Sequence, residues 1–139
     1  DVFPSHFVSA SAGEIIQRLP ELAPHRQAIR GRSMLVRRTN PVPFECVVRG
    51  YLSGSAWAEY KKHGTLAGEP LRPGMVESDR LDPPLFSPAT KAESGHDVNV
   101  TFGQMAEALG RPLAEELRRL SFAIYTAGRD HGVTTRMGL

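Results

Sequence analysis

Hydrophobic and polar positions alternate most clearly between Phe44 and Arg49. Phe44, Cys46 and Val48 form one row and Glu45, Val47 and Arg49 the other, the period of two that predicts a strand with one buried face. The chain then passes Gly50, Ser53, Gly54 and Ser55 and changes period. The run from Ala56 to Lys62 reads as a helix, with Ser55 as its expected N-cap. Upstream, Phe3 to Val8 is a short strand candidate. Ser11 to Glu14 has the form of a capping box ahead of Ile15, Ile16 and Leu19, so a helix is expected from about Ser11 to Leu19, ended by Pro20. Another helical turn is expected around Pro24, Gly31 breaks the chain, and Ser33 to Thr39 reads as a strand. Downstream, Gly64, Gly68 and Pro70 around Thr65-Leu66-Ala67 predict a short hairpin. Leu71 to Pro84, polar and with three prolines, reads as a binding loop or crossover. Thr101 is expected to cap a helix through Leu109 by a T-x-x-Q box. Pro112 opens another with an apolar stripe of Leu113, Leu117, Leu120, Ile124 and Ala127, running to about Arg129 and ending near Gly132. The mixture predicts an α+β fold.

Two stretches carry candidate chemistry. An Arg at a strand end, followed by a Gly/Ser turn into a helix, suits an anion. Backbone amides and the helix dipole favour negative charge, and Arg49 adds a two-pronged donor. An ordinary strand-turn-helix corner with a surface Arg has the same pattern. The second stretch, Asp82 to Asp97, carries Lys91, Glu93, His96 and Asp97 among prolines and glycines. Charges there can neutralise a phosphate or carboxylate, or form an inert salt bridge in a turn.

Composition narrows the class. At 139 residues, 23% charged and 40% hydrophobic, the chain is one globular domain's worth. A net charge of +2 gives weak support for a nucleic-acid-binding module, which the pI near 9.0 alone would suggest. The single Cys46, mid-strand among apolar neighbours, excludes an internal disulfide, reads as a core residue and fits a reducing, cytoplasmic setting. No apolar run approaches about 18 residues, and the first residues lack a basic stretch followed by an apolar core, so neither a membrane span nor a signal peptide is expected. His63, His96 and His131 lack ligand spacing, so no zinc site is expected.

Three blocks occur in order: R-S-M-L-V-R-R ending at Arg38, P-x-E-C-V-V-R-G-Y-L-S-G-S ending at Ser55, and F-S-P-A-T-K-A-E-S-G-H-D-x-N ending at Asn99. This order resembles the succinylaminoimidazole-carboxamide ribotide (SAICAR) synthase family of purine biosynthesis, from about His25 to about His131. The resemblance implies the central part of a two-lobed ATP-binding fold. Residues 1–40 would end an N-terminal lobe and form the hinge strand, and residues 41–139 would form the ATP- and ribotide-binding region. It implies ATP-dependent ligation of L-aspartate to the carboxylate of carboxyaminoimidazole ribotide, through an acyl phosphate, with magnesium. Arg37 and Thr39 would lie at the adenine edge and Glu45 close to the nucleotide. Arg49 and Ser55, with Ser53 and Glu93, would bind substrate, and Lys91 and Asp97 would be catalytic. In relatives Val98 is commonly Glu and Ala58 commonly Lys. The resemblance also implies that a phosphate-covering lobe precedes this region and that magnesium carboxylates lie beyond it. The expectation is therefore an internal fragment with little or no turnover alone, the alternative function being an inactive remnant that only binds nucleotide or ribotide. The expected partners are these small molecules, with no nucleic acid and no membrane, and the oligomeric state is left open.

Overall fold

A computed structural model describes residues 4–91 and 97–135. The chain divides into two compact units between Pro41 and Val42.

In the first unit, strand β1 (Phe7–Ser9) pairs antiparallel with β2 (Leu35–Val36). Both are shorter than the sequence pattern predicts. Helix α1 (Ala12–Arg18) starts as expected, with the Ser11 hydroxyl accepting a hydrogen bond from the Glu14 N–H. Pro20 ends it and opens a 3₁₀ turn, Pro20–His25, which leads into α2 (Arg26–Ile29).

The second unit is built on a long antiparallel ladder. Strand β3 (Phe44–Glu45) pairs with β8 (Ala89–Thr90), and β4 (Val48–Tyr51) pairs with β7 (Arg80–Phe86). Phe44 lies opposite Thr90, Glu45 opposite Ala89, Val48 opposite Phe86 and Arg49 opposite Leu85, so the register is unchanged across the gap. The strand expected to be continuous from Phe44 to Arg49 is interrupted at Cys46 and Val47. The facing residues include Pro88, which has no N–H to give the ladder, and the Ser87 N–H keeps one bond to the Val47 carbonyl. The predicted alternation nonetheless holds. Phe44, Cys46 and Val48 all pack on a core of Phe86, Met105, Ala106 and Ala114.

The proline-rich stretch expected to be a loop as far as Pro84 is strand from Arg80 onward. Its prolines are accommodated where the register shifts between Arg49 and Tyr51, and the Asp82–Pro83 peptide is cis. Asp79 accepts from the Val76 N–H and pairs with Arg72.

Tyr51 leads into a second core of Leu52, Ala56, Leu66, Met75 and Leu81, flanked by Trp57 and Tyr60. Leu52 is fully buried, and its N–H and carbonyl bond the Asp79 carbonyl and the Ser78 N–H. Helix α3 (Ser55–His63) ends at left-handed Gly64, and the predicted hairpin follows as β5 (Thr65–Leu66) and β6 (Glu69–Pro70). Its turn has positive φ at both Ala67 and Gly68, which matches the twist of a two-residue hairpin. Trp57 and Tyr60 stack with ring centroids 5.8 Å apart, and the Tyr60 hydroxyl donates to the Arg72 carbonyl and accepts from the Met75 N–H.

Strand β9 (Val98–Asn99) joins β8, and α4 (Phe102–Leu109) carries both halves of the predicted capping box at Thr101 and Gln104. Helix α5 (Arg111–Thr134) runs about a turn past its expected end, because Gly132 is a buried helical residue rather than a terminator.

Gly50, buried in β4, shows how closely α5 approaches the ladder. A Cβ there would collide with the Tyr125 hydroxyl and lie 3.0 Å from its Cζ. Gly50→Ala is therefore expected to cost about 1–3 kcal/mol by overpacking. Adding Tyr125→Phe removes the nearest atom and is expected to restore about half of the loss in urea melts.

Candidate anion site at the strand-helix junction

Arg49 is the last residue before the register shift in β4, on the face opposite the Phe44–Cys46–Val48 row. Its side chain is gripped twice. Nε donates to Ser87 Oγ at 3.0 Å, and Nη2 donates to Ser55 Oγ at 2.8 Å. Ser87 is fully buried, so the inner bond anchors the guanidinium plane, whereas Ser55 is exposed and holds its outer edge. Burial lowers the proton affinity of Arg49, and the Glu59 carboxylate partly offsets this. A planar fork fixed at two points leaves its remaining N–H groups oriented for two oxygens of one ligand.

Ser55 was expected to be the N-cap of α3. It is instead the first helical residue, and Gly54 occupies the cap position. Gly54 has φ 58° and ψ −129°, a conformation open to glycine and strained for other residues. With no capping bond at this helix end, the Ser55 hydroxyl is turned to Arg49. Ser53 is exposed in the turn just before.

One helical turn after Ser55, Glu59 receives two hydrogen bonds. Oε1 accepts from Thr65 Oγ1 at 3.0 Å and Oε2 from Asn99 Nδ2 at 2.8 Å. Between α3 and β9 lies a groove of about 500 Å³ lined by Ser55, Glu59, Lys62, His63, Asp97 and Asn99, among others. Asn99 pairs with Ala89 and Val98 with Thr90, so Lys91 and Asp97 follow as the next residues at the same end of that ladder. The Lys91 N–H bonds the Pro43 carbonyl, and its side chain is exposed. Glu93 and His96 lie outside the described residues.

The sequence-predicted residues thus fall into groups. Arg49 and Ser55 are in direct contact, Asp97 lines the groove that Ser55 also lines, and Lys91 and Asp97 flank the same end of the β8–β9 pair. Glu45 is exposed on β3. In the first unit, the Arg37 N–H donates to the His6 carbonyl and its guanidinium to the Ser5 carbonyl, and Thr39 is exposed. Sequence reasoning missed Ser87, Glu59 and Asn99. Ser87 and Asn99 lie inside the quoted F-S-P-A-T-K and H-D-x-N blocks, which was the available signal, whereas Glu59 looks like any exposed helix carboxylate. Cys46 is half-buried and its thiol is pushed up by that burial, against a weaker opposing hydrogen bond with Ser121, as a core thiol should be. Among the described residues no group of three or more His, Cys, Asp or Glu side chains is arranged to hold a metal ion, and no helix is long and apolar enough to cross a membrane.

An α+β chain with a half-buried Arg fork clamped by two serines, beside a groove lined by a carboxylate and an amide, has the donors to hold a small anion. The match is more specific than that. A family model for SAICAR synthetase covers residues 2–138, and the chain belongs to that family. It is 46% identical over 125 residues to a phosphoribosylaminoimidazole-succinocarboxamide synthase of Thermodesulfovibrio yellowstonii, covering 90% of this chain and 42% of the relative. The corresponding protein of Syntrophotalea carbinolica is 47% identical over 131 residues, covering 94% and 43%. A solved SAICAR synthase from Saccharomyces cerevisiae, complexed with SAICAR, superposes with a TM-score of 0.80 at 34% identity, over 94% of this chain and 43% of that one. The chain therefore spans about two-fifths of the length of these relatives.

Proposed function

We propose that this chain carries the ribotide-binding part of a ligase that joins L-aspartate to the carboxylate of carboxyaminoimidazole ribotide at the expense of ATP, in purine biosynthesis. The observation that carries the reading is the Arg49 fork, fixed by Ser87 and by Ser55, the latter lining the Asp97–Asn99 groove. Family membership and the yeast neighbour solved with SAICAR support the choice of ligand.

In this reading Arg49 and Ser55, with Ser53, bind an anionic group of the ribotide, either its phosphate or its ring carboxylate. Glu93 is proposed as a further substrate-binding residue. ATP, when bound, supplies the phosphoryl group that converts the carboxylate to an acyl phosphate, with release of ADP. The aspartate amine then attacks the acyl carbon, the C–N bond forms, and phosphate departs. Lys91 would neutralise charge on the acyl oxygens, and Asp97 would orient the attacking amine and take up its proton. Such chemistry depends on positioning and charge neutralisation more than on a strong base. Exposed Thr39 and Glu45 and the carbonyl of Arg37 are the groups proposed to meet the nucleotide. Magnesium finds no carboxylate cluster among the described residues, and no step is assigned to it. A half-buried free thiol is consistent with a reducing cytoplasm.

The test is a calorimetric titration of the chain with the ribotide, beside ribose 5-phosphate. Saturable binding of the ribotide at least tenfold tighter than of ribose 5-phosphate is expected. Equal affinities would reduce the site to a generic phosphate grip, and no binding of either would overturn the reading.

A further inference from the structure

Glu59 is the one carboxylate of the junction that sequence reasoning did not single out, and its geometry is unlike that of a solvated helix residue. Ser55 and Glu59 lie four apart in α3 and line the same groove. The Glu59 carboxylate spans two elements distant in sequence. One oxygen holds Thr65 at the start of β5, six residues on, and the other holds Asn99 in β9, forty residues on. Asn99 is two residues from Asp97, and both line the wall opposite Ser55. Beside the bond from Asn99 to Glu59, β9 is held by its pairing with β8 and by the Val100 N–H on the Pro88 carbonyl. It is a two-residue strand whose pairing partner β8 is equally short.

We infer that Glu59 is a positioning residue. Through Asn99 it fixes β9, and with it Asp97, at a set distance from the Arg49–Ser55 grip, so that the groove is preformed for the ligand. The inference rests on the ribotide reading above. Preformation matters because a wall that must be ordered at the moment of binding weakens affinity by the cost of ordering it.

The substitutions separate geometry from charge. Glu59→Gln keeps both contacts, since the amide oxygen can accept from Asn99 Nδ2 while the amide nitrogen donates to Thr65 Oγ1. Glu59→Ala and Asn99→Ala each break the tie. Ribotide affinity is measured by calorimetry on the 139-residue chain, below the melting temperature of each variant. The expected result is roughly tenfold weaker binding for E59A and for N99A, no further loss in the double variant, and affinity within about threefold of wild type for E59Q. A loss in E59Q equal to that in E59A would overturn positioning in favour of a charge effect. Additive losses would overturn the Glu59–Asn99 coupling. Should E59A fail to fold, N99A and E59Q carry the test, and unchanged binding in N99A would refute the inference. Arg49→Ala serves as the separate control. If R49A weakens binding while E59A and N99A do not, positioning fails and the ribotide reading stands. If R49A binds like wild type, the ribotide reading fails first.

Discussion

Arg49→Ala is expected to weaken ribotide binding by roughly 100-fold, the loss of about 3 kcal/mol that goes with removing a partly buried, charge-assisted donor from its anion. The magnitude follows from where Arg49 sits. Its Nε–Ser87 and Nη2–Ser55 bonds hold the fork before any ligand arrives, so little ordering remains to be done on binding. Arg49→Lys separates charge from geometry. An ammonium cannot reach Ser87 and Ser55 together, and its single point charge cannot present two parallel donors. It is expected to recover no more than about tenfold of the loss, with a comparable dependence on salt. Calorimetric titration of wild type, R49A and R49K at two salt concentrations gives the comparison. R49A binding as tightly as wild type would remove Arg49 from the site altogether.

The second large effect is on stability. Leu52→Ala is expected to cost about 3 kcal/mol and to lower Tm by roughly 10 °C. Leu52 is fully buried against Ala56, Leu66, Met75 and Leu81, and its backbone is pinned by Ser78 and Asp79, so the cavity left behind has little room to collapse. The same residue lies midway between Arg49 and Ser55. Its loss is therefore expected to weaken ribotide binding several-fold even where the protein remains folded, a coupling that Gly50→Ala, which loads the Tyr125 side of the strand, should share only in part. Urea melts measure the first effect, and titration well below the midpoint measures the second. Wild-type affinity in folded L52A would mean that the 49–55 stretch holds its shape without this core.

The parts of the fold that were legible in the sequence are those decided by local physics. The Phe44–Cys46–Val48 row was visible because one side of the strand packs on Phe86 and Met105 and the other does not. The Ser11 and Thr101 caps were visible because a hydroxyl three residues ahead of a backbone N–H satisfies it wherever the helix sits. Strand β7 was hidden by its own prolines, which argue against a strand until a partner with a bulge absorbs them. The Ser55 cap was misplaced by one residue because Gly54 takes a conformation that no side chain announces. The Arg49–Ser55 contact was legible because the two residues are close in the chain and fall in a distinctive block. Ser87 and Asn99 were not, because their contacts to Arg49 and Glu59 span 38 and 40 residues and leave no trace in local spacing.

Those long spans carry a kinetic consequence. Helix α5 can form from neighbours alone, but the Arg49 grip and the Glu59 tie each require a loop of about forty residues to close first. Closure of that kind belongs late on the folding path, after the local helices and the tight hairpin. Competence to hold the ribotide should therefore mature after far-ultraviolet ellipticity has recovered in a refolding experiment. The ligand would then act as a reporter of the final assembly step.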